Sequence, residues 1–78
     1  MNKKFEEIVR SVGELPESVV IDETQTFEAD LNIDSLKLLD VIVNAEAEFG
    51  VEIEDIHRFT TVGQLWRHIE LLQAGAKV

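Results

Sequence analysis

The sequence predicts an all-α domain, a small four-helix bundle of three principal helices and one short helix, with a long loop between the first and second helices. Apolar residues recur with the 3.6-residue period of a helix in three segments, and capping residues bound these segments. No segment alternates apolar and polar residues as a half-buried strand does. The 78 residues allow one domain. We expect residues 1–73 to be ordered and residues 74–78 to form a flexible tail.

The first helix is followed by the long loop. Its apolar face has the spacing i, i+3, i+4 and i+7 and comprises Phe5, Ile8, Val9 and Val12. Gly13 follows at the position of a C-terminal cap, and Pro16 prevents continuation of the helix. Residues 14–33 carry no helical period, and a connection of this length in a small domain is often functional. We expect its apolar residues to hold it against the helices: Leu15, Val19, Val20, Ile21, Phe27, Leu31 and Ile33.

The second helix is predicted over residues 36–49, with Asp34 or Ser35 as its N-cap and Gly50 as its stop. Its expected core stripe comprises Leu38, Ile42, Ala45 and Phe49. The opposite, water-facing line comprises Lys37, Asp40, Asn44 and Glu48. A second apolar line runs beside the polar one and comprises Leu36, Leu39 and Val43. This helix is therefore either contacted from several directions or presents part of its apolar arc to a partner.

The C-terminal third contains the short helix and the last principal helix. Residues 54–59 are predicted to form about one helical turn that carries Ile56 and Phe59 inward. The last helix begins at Thr61, which forms a capping box with Gln64. Its buried face is expected to comprise Val62, Leu65, Trp66, Ile69 and Leu72. We expect the two histidines to be solvated surface residues: His57 and His68.

Composition excludes several classes of function. Sixteen acidic and seven basic residues give a net charge of −9, which phosphate backbones repel, so we expect no nucleic-acid partner. There is no cysteine, which excludes disulfides and thiol catalysis. No apolar run exceeds three residues, as at residues 41–43, which is too short to span a membrane, and no signal segment is visible. We predict a cytoplasmic monomer.

The polar residues around Ser35 do not match a metal or catalytic site. Asp30, Asn32 and Asp34 stand at positions 1, 3 and 5 of a possible calcium loop, but position 6 is Ser35 and position 12 is Val41, where the loop needs Gly and Glu. Ser35 also lacks the flanking glycines of a nucleophile elbow. We therefore predict no metal, no catalytic residue and no enzyme.

Ser35 has two interpretations from its position at the start of the second helix. A serine there can cap the helix by accepting a hydrogen bond from an exposed amide. An exposed hydroxyl there can also carry a phosphoryl group, because the helix dipole and the free amides stabilise the added anion. The residues alone leave both interpretations open.

The segment around Ser35 resembles the attachment segment of the acyl carrier proteins, the small acidic four-helix carriers of fatty-acid and polyketide synthesis. The matching pattern is Phe27…Asp30-Leu31-Asn32-Ile33-Asp34-Ser35-Leu36. Residues 46–53 are similar to the end of the family's second helix, and residues 60–65 to the opening of its last helix. The three segments follow the family's order and spacing and cover nearly the whole chain.

The resemblance implies that Ser35 is esterified by 4′-phosphopantetheine, which a separate phosphopantetheinyl transferase donates from coenzyme A. Acyl intermediates would be held as thioesters on this arm and delivered to enzymes of fatty-acid, polyketide or related specialised synthesis. The partners implied are the transferase and acyl-loading and acyl-processing enzymes with basic docking surfaces. The implied partner-binding residues are Asp34, Leu36, Lys37, Asp40 and Val43.

Two positions depart from the family pattern. Lys37 stands where fatty-acid carriers usually have an acidic residue, and Asn32 stands where a glycine is usual. Because docking depends on such charges, a carrier dedicated to one specialised pathway is an alternative to the housekeeping fatty-acid carrier. Two further alternatives are an aminoacyl or peptidyl carrier of the same fold, and a helical interaction module in which Ser35 is only a cap. The sequence does not identify the carried group or the partner enzymes.

Overall fold

The structure is a computed structural model that describes residues 1–54 and 58–75. These ranges contain three helices and no strand: α1 (Lys3–Gly13), α2 (Ser35–Phe49) and α3 (Val62–Gln73). The all-α class is confirmed. Half of the predicted short helix, residues 55–57 with Ile56 and His57, lies outside the described ranges. The end of the predicted tail, residues 76–78, lies outside them as well. None of the described helices is long and apolar enough to cross a membrane.

Helix α1 ends one residue later than the sequence predicts. The Oδ1 atom of Asn2 accepts a hydrogen bond from the Phe5 amide at 3.1 Å and caps the start. At the other end Glu14, not Gly13, adopts the left-handed conformation, with φ at 53°. The assignment of Gly13 as the cap is therefore wrong. Gly13 serves close packing instead, because a Cβ there would lie 3.1 Å from the Cδ1 atom of Ile33.

The predicted caps of α2 and the predicted start of α3 are confirmed, and α2 begins one residue earlier than expected. Asp34 is the N-cap of α2, and its Oδ1 atom accepts from the Lys37 amide at 2.9 Å. Ser35 is thus the first helical residue. Gly50 closes α2 in the left-handed conformation. At the start of α3 the capping box is present, because the Gln64 amide donates to the Thr61 hydroxyl while the Gln64 carboxamide oxygen accepts from the Thr61 amide.

The core forms where the three helices meet. The Trp66 ring of α3 lies between two phenylalanines, with its centroid 5.2 Å from that of Phe5 and 5.3 Å from that of Phe49. In α2 the predicted stripe is incomplete, because Val41 is fully buried beside Ile42 and Ala45. The stripe's two ends are half-buried and pack against the core: Leu38 and Phe49. On α3 the predicted face is buried, with half-buried Leu72 at its edge.

The connection between α1 and α2 is held against the helices at most of its predicted apolar positions. Its buried residues are Ile21, Phe27, Leu31 and Ile33, and Leu15 and Val19 are half-buried against the core. Val20 is the exception, since its side chain is 76% exposed, so its predicted anchoring role is wrong. The Arg10 guanidinium fixes this part of the connection by donating to the Val19 carbonyl at 2.9 Å.

The backbone of the connection also binds the start of α3. The Phe27 amide donates to the Thr60 carbonyl at 3.0 Å, and the Val62 amide donates to the Gln25 carbonyl at 3.0 Å. The Gly63 amide donates to the Glu23 carbonyl at 2.9 Å. Amides in the first turn of a helix have no partner within the helix, so these bonds satisfy them while joining the two segments.

His68 is buried, which contradicts its predicted place on the solvated side of α3. Its side chain is 8% exposed and its ring centroid lies 5.1 Å from that of Phe59, because Phe59 packs back against α3. The Nδ1 atom has no hydrogen-bond partner among the residues that the structure describes. Burial lowers the pKa of His68 below its usual 6.5, and the positive charge of Arg58 lowers this pKa further.

Substitutions at Asn32 test the backbone before α2. Asn32 has φ at 55°, a conformation that asparagine and glycine tolerate and that costs other residues about 1–2 kcal/mol. We expect Asn32→Ala to lower the free energy of unfolding by about 1 kcal/mol and Asn32→Gly to lower it less. Asn44→Ala, at an exposed position inside α2, is the matched control. Urea titrations measure all three variants, and equal losses for alanine at the two asparagines would contradict the strain at Asn32.

The lowered pKa of His68 predicts a pH-dependent stability. Above pH 6.5 the imidazole is neutral in both states and makes no contribution. As the pH falls through 6.5 the unfolded chain takes up the proton while the folded chain resists it, so the free energy of unfolding decreases. Urea titrations at pH 7.5 and 5.5 should show a smaller decrease for His68→Phe, which keeps an aromatic ring but cannot titrate. Identical decreases for the variant and the unaltered chain would mean that His68 has an ordinary pKa.

Candidate functional site

Ser35 is presented to solvent by a tightly bonded loop. The Ile33 amide donates to the Phe27 carbonyl at 2.7 Å, which brings the two ends of the loop together. Within the loop the Asp30 carboxylate accepts from the Thr26 amide at 2.7 Å and from the Thr26 hydroxyl at 3.2 Å. With the loop closed in this way, α2 begins at the surface, where the side chain of Ser35 is exposed.

The start of α2 is a favourable environment for an anion. Asp34 satisfies the Lys37 amide, and the Leu38 amide donates to the Asp34 carbonyl at 2.8 Å. Among residues 1–54 and 58–75, the amides of Ser35 and Leu36 have no hydrogen-bond partner. These two donors and the positive end of the helix dipole therefore lie next to the Ser35 hydroxyl.

A cavity of about 430 Å³ lies beside Ser35, between the connection and the first turn of α2. Its apolar walls are Phe27, Ile33, Leu38 and Phe59. Ser35 and Asp34 border it as well. The sequence predicts these apolar residues only as core, because the cavity depends on how closely the connection approaches α2.

The second apolar line of α2 faces solvent. Leu36 is 77% exposed, Val43 is 53% exposed and Leu39 is also exposed. The wide apolar arc allowed two possibilities, a helix contacted from several directions or a helix with part of its arc exposed. The structure supports the second, because the described residues of the chain do not cover this apolar strip. Asp40 is exposed on the same helix. Exposed apolar residues in a row mark a candidate interaction surface.

Lys37 makes a contact that the sequence does not predict. Its Nζ atom lies 3.9 Å from the Oε2 atom of Glu14, just after α1. Both side chains are substantially exposed, so the pair contributes little to stability. Its effect is to direct the one basic side chain of α2 towards α1. Glu14 is distant in the chain, and no sequence pattern identifies it as a partner.

The carboxylates of the possible calcium loop bind local groups. Asp30 accepts from Thr26, and Asp34 accepts from the Lys37 amide. In the described part of the chain, no group of three His, Cys, Asp or Glu side chains could hold a metal ion.

Comparison with known proteins identifies the family. Residues 3–69 match the family model described as the phosphopantetheine attachment site. An acyl carrier protein from Renibacterium salmoninarum is 41% identical over 64 residues, which cover 80% of this chain and 76% of the relative. One from Thermotoga maritima is 37% identical over 73 residues, covering 83% of this chain and 90% of the relative.

A more specialised relative also matches. The meromycolate extension acyl carrier protein of Mycobacterium leprae is 34% identical over 76 residues, covering 87% of this chain and 66% of the relative. The proteins of this group are carriers and not enzymes. The match to the family model spans most of the sequence and includes all of α2. The chain therefore belongs to the phosphopantetheine-attachment family, among the acyl carrier proteins.

Proposed function

We propose that this chain is an acyl carrier in which Ser35 bears the 4′-phosphopantetheine arm. The observation that carries the proposal is the exposed Ser35 hydroxyl at the first position of α2. Beside it lie a cavity and two amides that have no partner among the described residues. The residues fit the group, because the amides of Ser35 and Leu36 can donate to a phosphodiester at Ser35. When bound, the arm supplies a terminal thiol that holds acyl groups as thioesters.

Asp34 and Ser35 have separate tasks in this proposal. Asp34 caps the helix through its bond to the Lys37 amide, so the Ser35 hydroxyl is not needed as a cap. Ser35 therefore remains available to the transferase. The apolar cavity walls beside it can shelter part of an acyl chain from water.

Partner enzymes would bind the exposed face of α2. Leu36 and Val43 supply apolar anchors, and Asp34 and Asp40 supply negative charge for basic docking surfaces on the transferase and on acyl-loading and acyl-processing enzymes. Lys37 reduces this negative charge next to the attachment site. That reduction supports a role in a dedicated pathway, and one relative is itself named for meromycolate extension.

The carrier domain would comprise residues 1–78 and act as a monomer in the cytoplasm.

Substitution of Ser35 tests the attachment site. We expect Ser35→Ala to prevent modification by a broad-specificity phosphopantetheinyl transferase with coenzyme A, because the variant lacks the hydroxyl that forms the ester. The melting temperature should change little, since Asp34 provides the cap. Ser11→Ala, at an exposed position of α1, is the control and should gain one arm. Intact mass gives the result, and a mass gain in Ser35→Ala would place the arm on another residue.

Substitution of Val43 tests the partner surface. Val43→Asp should reduce kcat/KM for the transferase about tenfold, because an interface anchor contributes about 1–2 kcal/mol. Its melting temperature should stay close to that of the unaltered chain, as Val43 is outside the core. Val20→Asp makes the same change at an exposed valine of the connection and serves as the control. Equal rates for the two variants would remove Val43 from the docking surface.

A further inference from the structure

A second and larger cavity lies on the side of α3 that contacts the connection. It has a volume of about 810 Å³ and is open to solvent. We call it the α3 groove and define it by Glu23, Arg58, Phe59, Arg67, His68 and Leu71. Neither Ser35 nor any residue of α2 lines it. It is therefore separate from the proposed attachment site and from the exposed face of α2.

The α3 groove concentrates positive charge on an acidic protein. The chain has only seven basic residues and a net charge of −9, yet two arginines line this one groove. Within the part of the chain that the structure describes, no carboxylate lies within 4.0 Å of Arg58 or Arg67, and the ion pairs there involve Arg10 and Lys37. Glu23, the acidic residue of the groove wall, is not paired with either arginine in these ranges. In the described part of the chain, both guanidinium groups therefore lack a carboxylate partner and can bind an external one.

Aromatic contacts restrain Arg58 in the α3 groove. The Arg58 guanidinium carbon lies 5.7 Å from the centre of the Phe59 ring, and that ring lies 5.1 Å from the His68 ring. A guanidinium over an aromatic face is restrained and keeps its donors free for bidentate contacts with a carboxylate. Leu71, an exposed residue of α3, adds an apolar wall.

We propose that the α3 groove is a docking site for an acidic segment of a partner protein, with carboxylates on Arg58 and Arg67 and an apolar side chain against Phe59 and Leu71. Charge complementarity selects this occupant. A short acidic segment contacts only the groove, which two arginines and one glutamate line, whereas a nucleic acid would extend over the acidic surface around the groove and be repelled by it. A second copy would bring its whole net charge of −9 against the same charge. The groove is also wide enough for several side chains. The two arginines of the groove contrast with Asp34 and Asp40 on the exposed face of α2, so one carrier can present two electrostatically distinct surfaces.

The test uses the full chain carrying Ser35→Ala, which keeps the groove and removes the proposed attachment site. The probe is a synthetic peptide that alternates glutamate and leucine, added at low ionic strength while backbone amide signals are followed by NMR. We expect saturable shifts at Arg67, His68 and Leu71. Arg58→Glu and Arg67→Glu should each weaken binding at least tenfold. Lys4→Glu, the same charge change on the exposed face of α1, should leave binding unchanged.

Four outcomes would overturn the proposal. The first is that the amide shifts are confined to other surfaces, and the second is that Lys4→Glu weakens peptide binding as much as the arginine variants do. The third is that a glutamine–leucine peptide binds as tightly as the glutamate–leucine peptide. The fourth is that acetate at the same carboxylate concentration displaces the peptide fully. The last of these would indicate a site for small anions instead of a peptide segment. Arg67→Gln, measured alongside its melting temperature, separates loss of the contact from loss of the fold. The attachment test on Ser35 is independent of these outcomes.

Discussion

The backbone hydrogen bonds between the connection and the start of α3 are the constraint on which the rest of the structure depends. Two segments that are far apart in sequence, residues 23–27 and 60–63, satisfy each other's amides and carbonyls. Gly63 is essential to this approach, since a Cβ there would lie 2.9 Å from the Glu23 carbonyl oxygen. The contact holds Phe27 and Ile33 against the core, and it thereby fixes the loop from which α2 begins. Residues of this contact also border both cavities, Phe27 and Thr60 the one beside Ser35, and Glu23 and Gly63 the one beside α3.

The helices and their caps could be predicted from the sequence because local patterns determine them. Thr61 and Gln64 form a capping box within one turn, and Asp34 and Gly50 each cap one end of α2 through a bond to a residue about one turn away. The errors arise where a residue's environment comes from distant segments. Gly13 looks like a cap but is needed for contact with Ile33, and His68 lies on a polar line of α3 but is covered by Phe59. Periodicity describes one helix at a time and does not report which neighbours cover it.

The candidate site also combines features that local sequence predicts with features that depend on distant segments. The position of Ser35 at a helix start and the wide apolar arc of α2 follow from the sequence. The cavity beside Ser35 and the contact between Lys37 and Glu14 do not, because each requires the path of the connection in space. Asn32 is a departure visible in the sequence that the backbone conformation explains. The family resemblance implies a glycine at this position, and the φ of 55° at Asn32 gives the physical reason, since both residues tolerate the left-handed conformation.

The order of Asp34 and Ser35 has a physical explanation. A helix start at the surface needs one side chain to cap it and, in a carrier, one hydroxyl that stays free. If the serine were the cap, esterification would remove a hydroxyl that the helix needs. Here the aspartate directly before it accepts from the Lys37 amide, while the serine at the first helical position keeps its oxygen exposed. An added phosphodiester at that oxygen would meet the amides of Ser35 and Leu36 and the positive helix end, which offset the nearby negative charge of Asp34. With this order, an ester at Ser35 would leave the bond between Asp34 and the Lys37 amide in place.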